Sequence, residues 1–418
     1  MWVTAKSVAS LLLSYGLLLL ANGMFGTLLG LRSKLEGFST EMTGVIMAGY
    51  FVGMLFGAMN AVRVVARAGH IRSFAAFASI MSVAVLAHLL VINPITWILL
   101  RAVCGFCMAG MVMIVESWLN ERSTNDNRGR VLSLYMMTSY LGAGLGQFLL
   151  TVADPASFEL FSVASIVFSI ALVPILLTRA TAPKPVKPER MSFRELYKIS
   201  PVGVMGTFTA GMSNSSINSM APVFAKSINL TVGEISLFMA SILLGGMLLQ
   251  FPIGRLSDHF DRRTILIVSA LLTAAASLAI VWAIGQSTYW LYGTALVYGG
   301  IAYTIYPMSS AQTNDLADKE RLVQVSASLL FAYGLGASMG PIITSLFMAL
   351  FGQQALFLFI TGTTSFLAFF VLIRITQRPS GTKKALFLPL GGLGASSKQL
   401  YSNVQSSFAK KRRKKEQS

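Results

Sequence analysis

Apolar residues fill the chain in about a dozen blocks from Val8 to Arg374, separated by short polar breaks. Most blocks run to ~18–25 residues, enough for a helix to cross the ~30 Å hydrocarbon core of a bilayer. None shows the period-two alternation of barrel strands, and backbone groups cannot stay unpaired in lipid, so each block is expected to be a helix. The expected spans are 8–31, 41–62, 73–92, 95–118, 131–153, 158–178, 201–226, 233–254, 264–285, 288–311, 323–350 and 354–374. An all-α integral membrane protein with twelve crossings follows, and an even number returns the chain to the side on which it starts. The first block is too long for a leader's apolar region and is expected to be retained as the first helix.

Composition agrees with this pattern. With 54% hydrophobic and 12% charged residues and a mean hydropathy of +0.67, a 418-residue chain lacks the polar surface to coat a soluble globule. The net charge of +17 would suggest nucleic acid in a soluble protein, but its placement excludes that reading. Alternate breaks hold Arg63, Arg67 and Arg72, then Arg122, Arg128 and Arg130, then the cluster at 179–198, then Arg255, Arg262 and Arg263, then Lys319 and Arg321. The opposite breaks have only Arg32, Lys34 and Lys226. By the positive-inside rule both termini and the 179–200 connection are expected in the cytoplasm.

That connection, with Pro183, Pro185 and Pro188, is the longest polar break between helices and divides them six and six. The expected organisation is a six-helix bundle over 1–178, a cytoplasmic linker over 179–200, a second six-helix bundle over 201–374 and a basic tail over 375–418. Self-comparison supports the division. A shift of 194 positions lays Gly105 on Gly299, Asn120 on Asn314, Glu121 on Asp315, Gly142 on Gly336 and Gly146 on Gly340.

The run from Gly254 to Arg263, Gly-Arg-Leu-Ser-Asp-His-Phe-Asp-Arg-Arg, resembles the cytoplasmic loop motif of the major facilitator superfamily, with Asp261 in place of its second glycine. The first-half copy keeps Arg67, Gly69 and Arg72 but has Ala66 at the acidic position. Arg101 to Gly105 is similar to the R-x-x-x-G signature of that superfamily's fourth helix. Glu116-Ser117-Trp118, the 127–130 run Asn-Arg-Gly-Arg, the 140–147 run ending in Gln147, and the stretch from Gln250 to Asp258 are similar to the bacterial branch typified by YcaD. The resemblance covers about 8–375. It implies two pseudo-symmetric six-helix bundles, alternating access, a cavity lined by the first, fourth, seventh and tenth helices, and residence in a bacterial inner membrane.

Candidate chemistry is sparse. Arg101 lies in the outer half of the fourth helix, where an unpaired charge costs at least ~2.5–3.5 kcal/mol, and no carboxylate is placed centrally to meet it. Either it binds an anionic solute or couples to a proton, or it bonds neutral groups on a neighbouring helix. Tyr15 and Asn22 share a face of the first helix, Asn214 and Asn218 share one of the seventh, and Tyr298, Tyr303 and Tyr306 lie in the tenth. They are candidates to orient a ligand or to join helices. Glu116, Arg128, Arg130, Arg255, Asp258, Arg262 and Arg263 sit at the cytoplasmic ends and suit a gating network of charge-assisted bonds, against the plainer reading of a topology-setting charge cluster. The glycine ridges at 49, 53 and 57, at 142 and 146, and at 336 and 340 read as close-packing surfaces. Cys104 and Cys107 read as core, and His88 as a satisfied or solvated interfacial residue.

No metal constellation, catalytic triad or phosphate loop is present in the sequence, so neither an enzyme nor a cofactor is expected. The expected function is a secondary active transporter of a small organic solute, proton-coupled, with export favoured. The alternatives are an importer or passive facilitator of a sugar-like or other nutrient solute, or a non-transporting receptor or scaffold. A monomer is expected, with no nucleic-acid partner. The cluster Lys410 to Lys415 is expected either to meet anionic lipid or to be a topology-fixing tail.

Overall fold

A computed structural model describes residues 2–123, 127–177 and 191–377, and the side chains of 2–7, 128 and 319 lie outside the description. Most of the linker and the whole basic tail after Gln377 also lie outside it. Every regular element among the described residues is helical. The order is α1 (Trp2–Leu35), α2 (Thr40–Ala68), α3 (His70–Leu90), α4 (Pro94–Glu121), α5 (Arg128–Phe148), α6 (Glu159–Ile170), α7 (Val173–Leu176) and α8 (Phe193–Ile199). Then follow α9 (Pro201–Ser227), α10 (Val232–His259), α11 (Arg262–Ala283), α12 (Thr288–Ala302), α13 (Ile305–Leu316), α14 (Leu322–Phe351) and α15 (Ala355–Gln377).

Local sequence sets the ends of these helices. The Ser39 hydroxyl accepts from the Met42 amide at the start of α2, Asn93 caps α4 ahead of Pro94, and Thr231 with Glu234 forms a capping box on α10. Gly69 turns the chain from α2 into α3 at φ +83°, where a Cβ would be strained. At the matching loop of the second half, Asp261 has φ −60° and its carboxylate accepts from the Arg263 amide, so it caps α11. The changed glycine of the motif has thus exchanged a turn for a helix cap.

Nine helical segments among the described residues are long and apolar enough to span a membrane, namely α1, α2, α3, α4, the α6–α7 pair, α10, α11, α14 and α15. The other three expected spans are helical too, but more polar or broken. Ser213, Asn214, Ser215, Ser216, Asn218 and Ser219 lower the hydropathy of α9, whose 27 residues are nonetheless ample at ~1.5 Å each. The span expected over 288–311 is interrupted at Tyr303 and Thr304 between α12 and α13. Pro307 has no N–H to donate to the carbonyl four residues back, that of Tyr303.

Packing follows the repeat. The backbone carbonyls that a Cβ at Gly105, Gly142 and Gly146 would strike belong to Tyr50, Gly16 and Leu20. For Gly299, Gly336 and Gly340 they belong to Ile242, Phe208 and Met212, each 192 residues further on. The same close helix crossings are therefore built twice, α2 on α4 and α1 on α5, then α10 on α12 and α9 on α14. Helices before and after the linker meet through α2 with α14, α5 with α10 and α1 with α9. Two of these approaches lie away from α8: Gly30 faces the Ser219 carbonyl and Pro222, and Gly44 faces Ser345 and the Pro341 carbonyl. We call this the far end, and the end carrying α8 the linker end.

Candidate functional site

Arg101 is buried within the first half of the chain, with 3% of its surface exposed. Its guanidinium carbon stands 4.4 Å from the centre of the Tyr50 ring and 5.8 Å from that of Phe25, so the cation faces aromatic π-clouds from α2 and α1. Nε and Nη1 have no hydrogen-bond acceptor among the described residues. Asn22, two turns beyond Tyr15 on α1, lies beside the Tyr50 hydroxyl. His88 closes the group from α3. It is fully buried near the end of α3, which removes the solvated alternative and leaves the satisfied one, because Trp97 at the start of α4 folds over it, ring centres 5.5 Å apart, and Phe25 meets it edge-on at 5.3 Å. Nδ1 bonds the Ala84 carbonyl at 2.7 Å, while Nε2 has no partner among the described residues.

Towards the linker end, Tyr15 stacks on Tyr135 of α5 at 4.5 Å, and the Tyr135 hydroxyl donates to Glu116 at 2.6 Å. The Ser139 hydroxyl donates to that of Tyr15 at 3.0 Å. Glu116 is buried, at 5% exposure, and among the described side chains it joins a tyrosine and serine chain within the helices.

In the second half the structure groups Asn218 with Tyr303, and Asn214 and Tyr306 with Tyr333. The Tyr303 hydroxyl donates to Asn218 at 3.1 Å, the Asn214 amide lies 3.5 Å from the Tyr333 hydroxyl, and Tyr306 meets the Tyr333 ring at 4.9 Å. Tyr140 of α5 crosses between the halves, donating to Gln250 of α10 at 3.0 Å with its ring 6.1 Å from Tyr303. Tyr298 is fully buried with its hydroxyl unpartnered among the described residues.

At the linker end Arg262, 1% exposed in its side chain, bridges Asp315 at 2.7 Å and Asp258 at 3.3 Å. Arg263 lies 3.7 Å from Asp261, and Arg255 stacks over Phe251 at 4.3 Å. Arg130 is exposed near the start of α5, and the side chain of Arg128 lies outside the described residues. Asp315 was seen in sequence only as a repeat partner. Tyr50, Tyr135, Tyr140 and Tyr333 were missed as ring-bearing partners, since α2, α5 and α14 read as packing helices. The available signal was a tyrosine beside small residues, as in Gly49-Tyr50 and Tyr333-Gly334.

Comparison with known proteins gives this architecture a family. The family model described as Major Facilitator Superfamily matches residues 11–202 and again 203–412. The chain belongs to the major facilitator superfamily. It is 31% identical over 371 residues, 87% of its length, to the "uncharacterized MFS-type transporter YcaD" of Escherichia coli (strain K12 / DH10B), covering 95% of that protein. The YcaD of strain UMN026 / ExPEC matches at the same identity and coverage. The fold is similar to the crystal structure of the nucleoside transporter NupG, with a TM-score of 0.74 at 14% identity over 89% of this chain and 99% of that one. It is also similar to a bacterial homolog of the human lysosomal transporter Spinster, in an inward-facing and occupied conformation, with a TM-score of 0.64 at 14% identity over 89% and 95% of the two chains. The protein is therefore a multi-pass membrane protein of a transporter superfamily, and its homologues indicate a transporter rather than an enzyme.

Proposed function

We propose that this protein is a secondary active transporter of a small organic anion, exporting it by alternating access between bundles 1–178 and 201–374. The observation that carries the reading is Arg101. A buried cation with two donor nitrogens unmatched among the described residues and the aromatic faces of Tyr50 and Phe25 beside it gains most from a carboxylate or phosphate, which offers the missing acceptors. Asn22 and Tyr50 stand beside it to orient a solute. The amides and phenols of Asn214, Asn218, Tyr303, Tyr306 and Tyr298 supply the opposing wall as the bundles rock.

Coupling is assigned to protons through Glu116. A buried carboxylate tied to Tyr135, Tyr15 and Ser139 has a local hydrogen-bonded chain along which its protonation state can be read by α1. Close contacts at Gly30 and Gly44 suit a state shut at the far end, and the charge asymmetry of the sequence supports taking that end as the outer one. The linker end is then cytoplasmic, and Arg262 with Asp258 and Asp315 forms part of its gate. Arg128, Arg130, Arg255 and Arg263 flank the same end.

A metabolite-library thermal-shift screen on the purified protein, followed by flux in lumen-sealed proteoliposomes, tests the assignment. The expected hit is an anion whose addition moves protons across the membrane. A neutral solute transported without proton movement would overturn both the substrate class and the coupling.

A further inference from the structure

A cavity lies at the linker end that shares only Arg263 with the groups assigned to transport of the solute. The short helix α8 is fixed by a capping box of Ser192 and Glu195, and it runs directly into Ser200, whose hydroxyl accepts from the Gly203 amide to start α9. This junction leaves a cavity of about 440 Å³ between α8, the first turns of α9 and α11, and the last turns of α13 and α15. Its size is within the ~300–1,000 Å³ of small-ligand sites. Three cations line it, Lys198, Arg263 and Arg374, together with the buried amide of Gln312; no carboxylate is among its described lining residues, and Asp261, 3.7 Å from Arg263, lies outside that lining. Arg374 is already held for the purpose: its Nη2 donates to the Tyr197 hydroxyl at 3.1 Å and its guanidinium packs over Phe370 at 5.4 Å.

A wall with three cations and no described lining acid, only Arg263 having Asp261 behind it, keeps an excess of positive charge and favours an anion as its occupant. The chain does not supply one from its neighbouring segments. The stretch after Gln377 has many lysines and arginines and a single acid, Glu416, and 178–190 is also net basic. Beside the cavity, Phe366, Phe369 and Ile373 leave an exposed apolar stripe down α15 that ends at Arg374. An acyl chain on that stripe would carry its phosphate to the cavity mouth.

We propose that this cavity binds the phosphate of an anionic phospholipid headgroup, which ties the linker helix α8 to the ends of α9, α11 and α15. The cations act as point charges and, through the two arginines, as planar donors to phosphate oxygens. The site is independent of which solute is carried. It uses only the linker-end position of the lining residues.

The test is native mass spectrometry of the full-length protein released from mixed phosphatidylglycerol and phosphatidylcholine nanodiscs, comparing wild type with Lys198→Gln and Arg374→Gln. Both side chains are at least partly exposed, so both variants are expected to fold, and a thermal melt checks it. Phosphatidylglycerol retention should fall about five- to tenfold for each lost charge, while phosphatidylcholine retention stays unchanged. The tail is intact in every sample, so its own attraction to lipid cancels. Equal phosphatidylglycerol retention by wild type and both variants would overturn the proposal. Inorganic phosphate at millimolar concentration, added to lipid-free detergent samples, gives the other arm. A melting shift there as large as that from phosphatidylglycerol, lost in the same variants, would make the site one for free phosphate compounds and overturn the lipid assignment.

Discussion

The Tyr140 hydroxyl on α5 donates to Oε1 of Gln250 on α10 at 3.0 Å, so a side-chain hydrogen bond joins the helices before the linker to those after it. Both residues are nearly buried, which protects the bond from competition with water. Such a bond is worth about 0.5–1.5 kcal/mol, or roughly two- to twelvefold in a two-state equilibrium.

Tyr140→Phe should therefore shift the protein away from the far-end-closed state by about that factor. Spin labels on cysteines replacing Glu41 and Gln353 report the far-end separation. The longer-distance population should grow in the variant, and an unchanged distance distribution would show that this bond does not bias the halves.

The duplicated glycine contacts make a stability prediction. A Cβ at Gly105 or Gly299 would stand 1.9 Å from a backbone oxygen of the neighbouring helix, whereas one at Gly144 meets nothing within 4 Å. Gly105→Ala and Gly299→Ala should each cost about 1–3 kcal/mol, because backbone on both sides must move. Gly144→Ala should be neutral or stabilise by up to ~1 kcal/mol, removing a flexible residue from a helix. Thermal melts in one detergent check all three, and a tolerated Gly105→Ala would contradict the packing.

These ridges show what was legible in the sequence and what was not. Glycines at four-residue spacing within apolar blocks have one economical use in lipid, so Gly142 with Gly146 and Gly336 with Gly340 could be read as helix contacts. The polar face of α9 was legible in the same way, as was Arg101 as a cation needing company. Its company was not legible. A charge search looks for a carboxylate, whereas Tyr50 and Phe25 answer the guanidinium with ring faces and look like ordinary lipid-facing or core residues in sequence. The tyrosine partner of Glu116 was illegible for a related reason. Nothing local reveals that Tyr135, nineteen residues on, turns its hydroxyl inward to meet it.

The two carboxylates on Arg262 should differ in weight. The side chain of Asp315 is 9% exposed and bonds Nε at 2.7 Å, while that of Asp258 is 18% exposed and bonds Nη2 at 3.3 Å. Asp315→Asn, which weakens the more buried pair, should approach the ~3–5 kcal/mol cost of breaking a buried ion pair. Asp258→Asn should cost about 1 kcal/mol or less in stability and shift the linker-end gate instead. Chemical denaturation together with linker-end cysteine accessibility separates the two effects, and equal stability losses would refute the ranking.

Orientation is tested by labelling in intact cells. Lys187→Cys should react only with membrane-permeant thiol reagents, and Lys34→Cys with impermeant ones as well. The motive is the concentration of arginine and lysine on one set of breaks. Impermeant labelling at position 187 would invert the topology, and with it the assignment of the linker end to the cytoplasm.

Arg101 carries the sharpest prediction, because a buried guanidinium held by Tyr50 and Phe25 can serve either solute or scaffold. If it grips an anion, Arg101→Ala should abolish transport and remove the thermal shift caused by that anion, while the unliganded protein melts within a few degrees of wild type. Arg101→Lys should recover binding only in part, since an ammonium keeps the charge but not the planar pair of donors that meets a carboxylate or phosphate at two points. Tyr50→Phe should retain most binding, because the ring face that meets the cation survives and only the hydroxyl is lost. A scaffold role predicts a different pattern: Arg101→Ala would lower the melting temperature of the unliganded protein sharply, and whatever remained folded would still bind. Normal transport by Arg101→Ala would remove this residue from the site altogether.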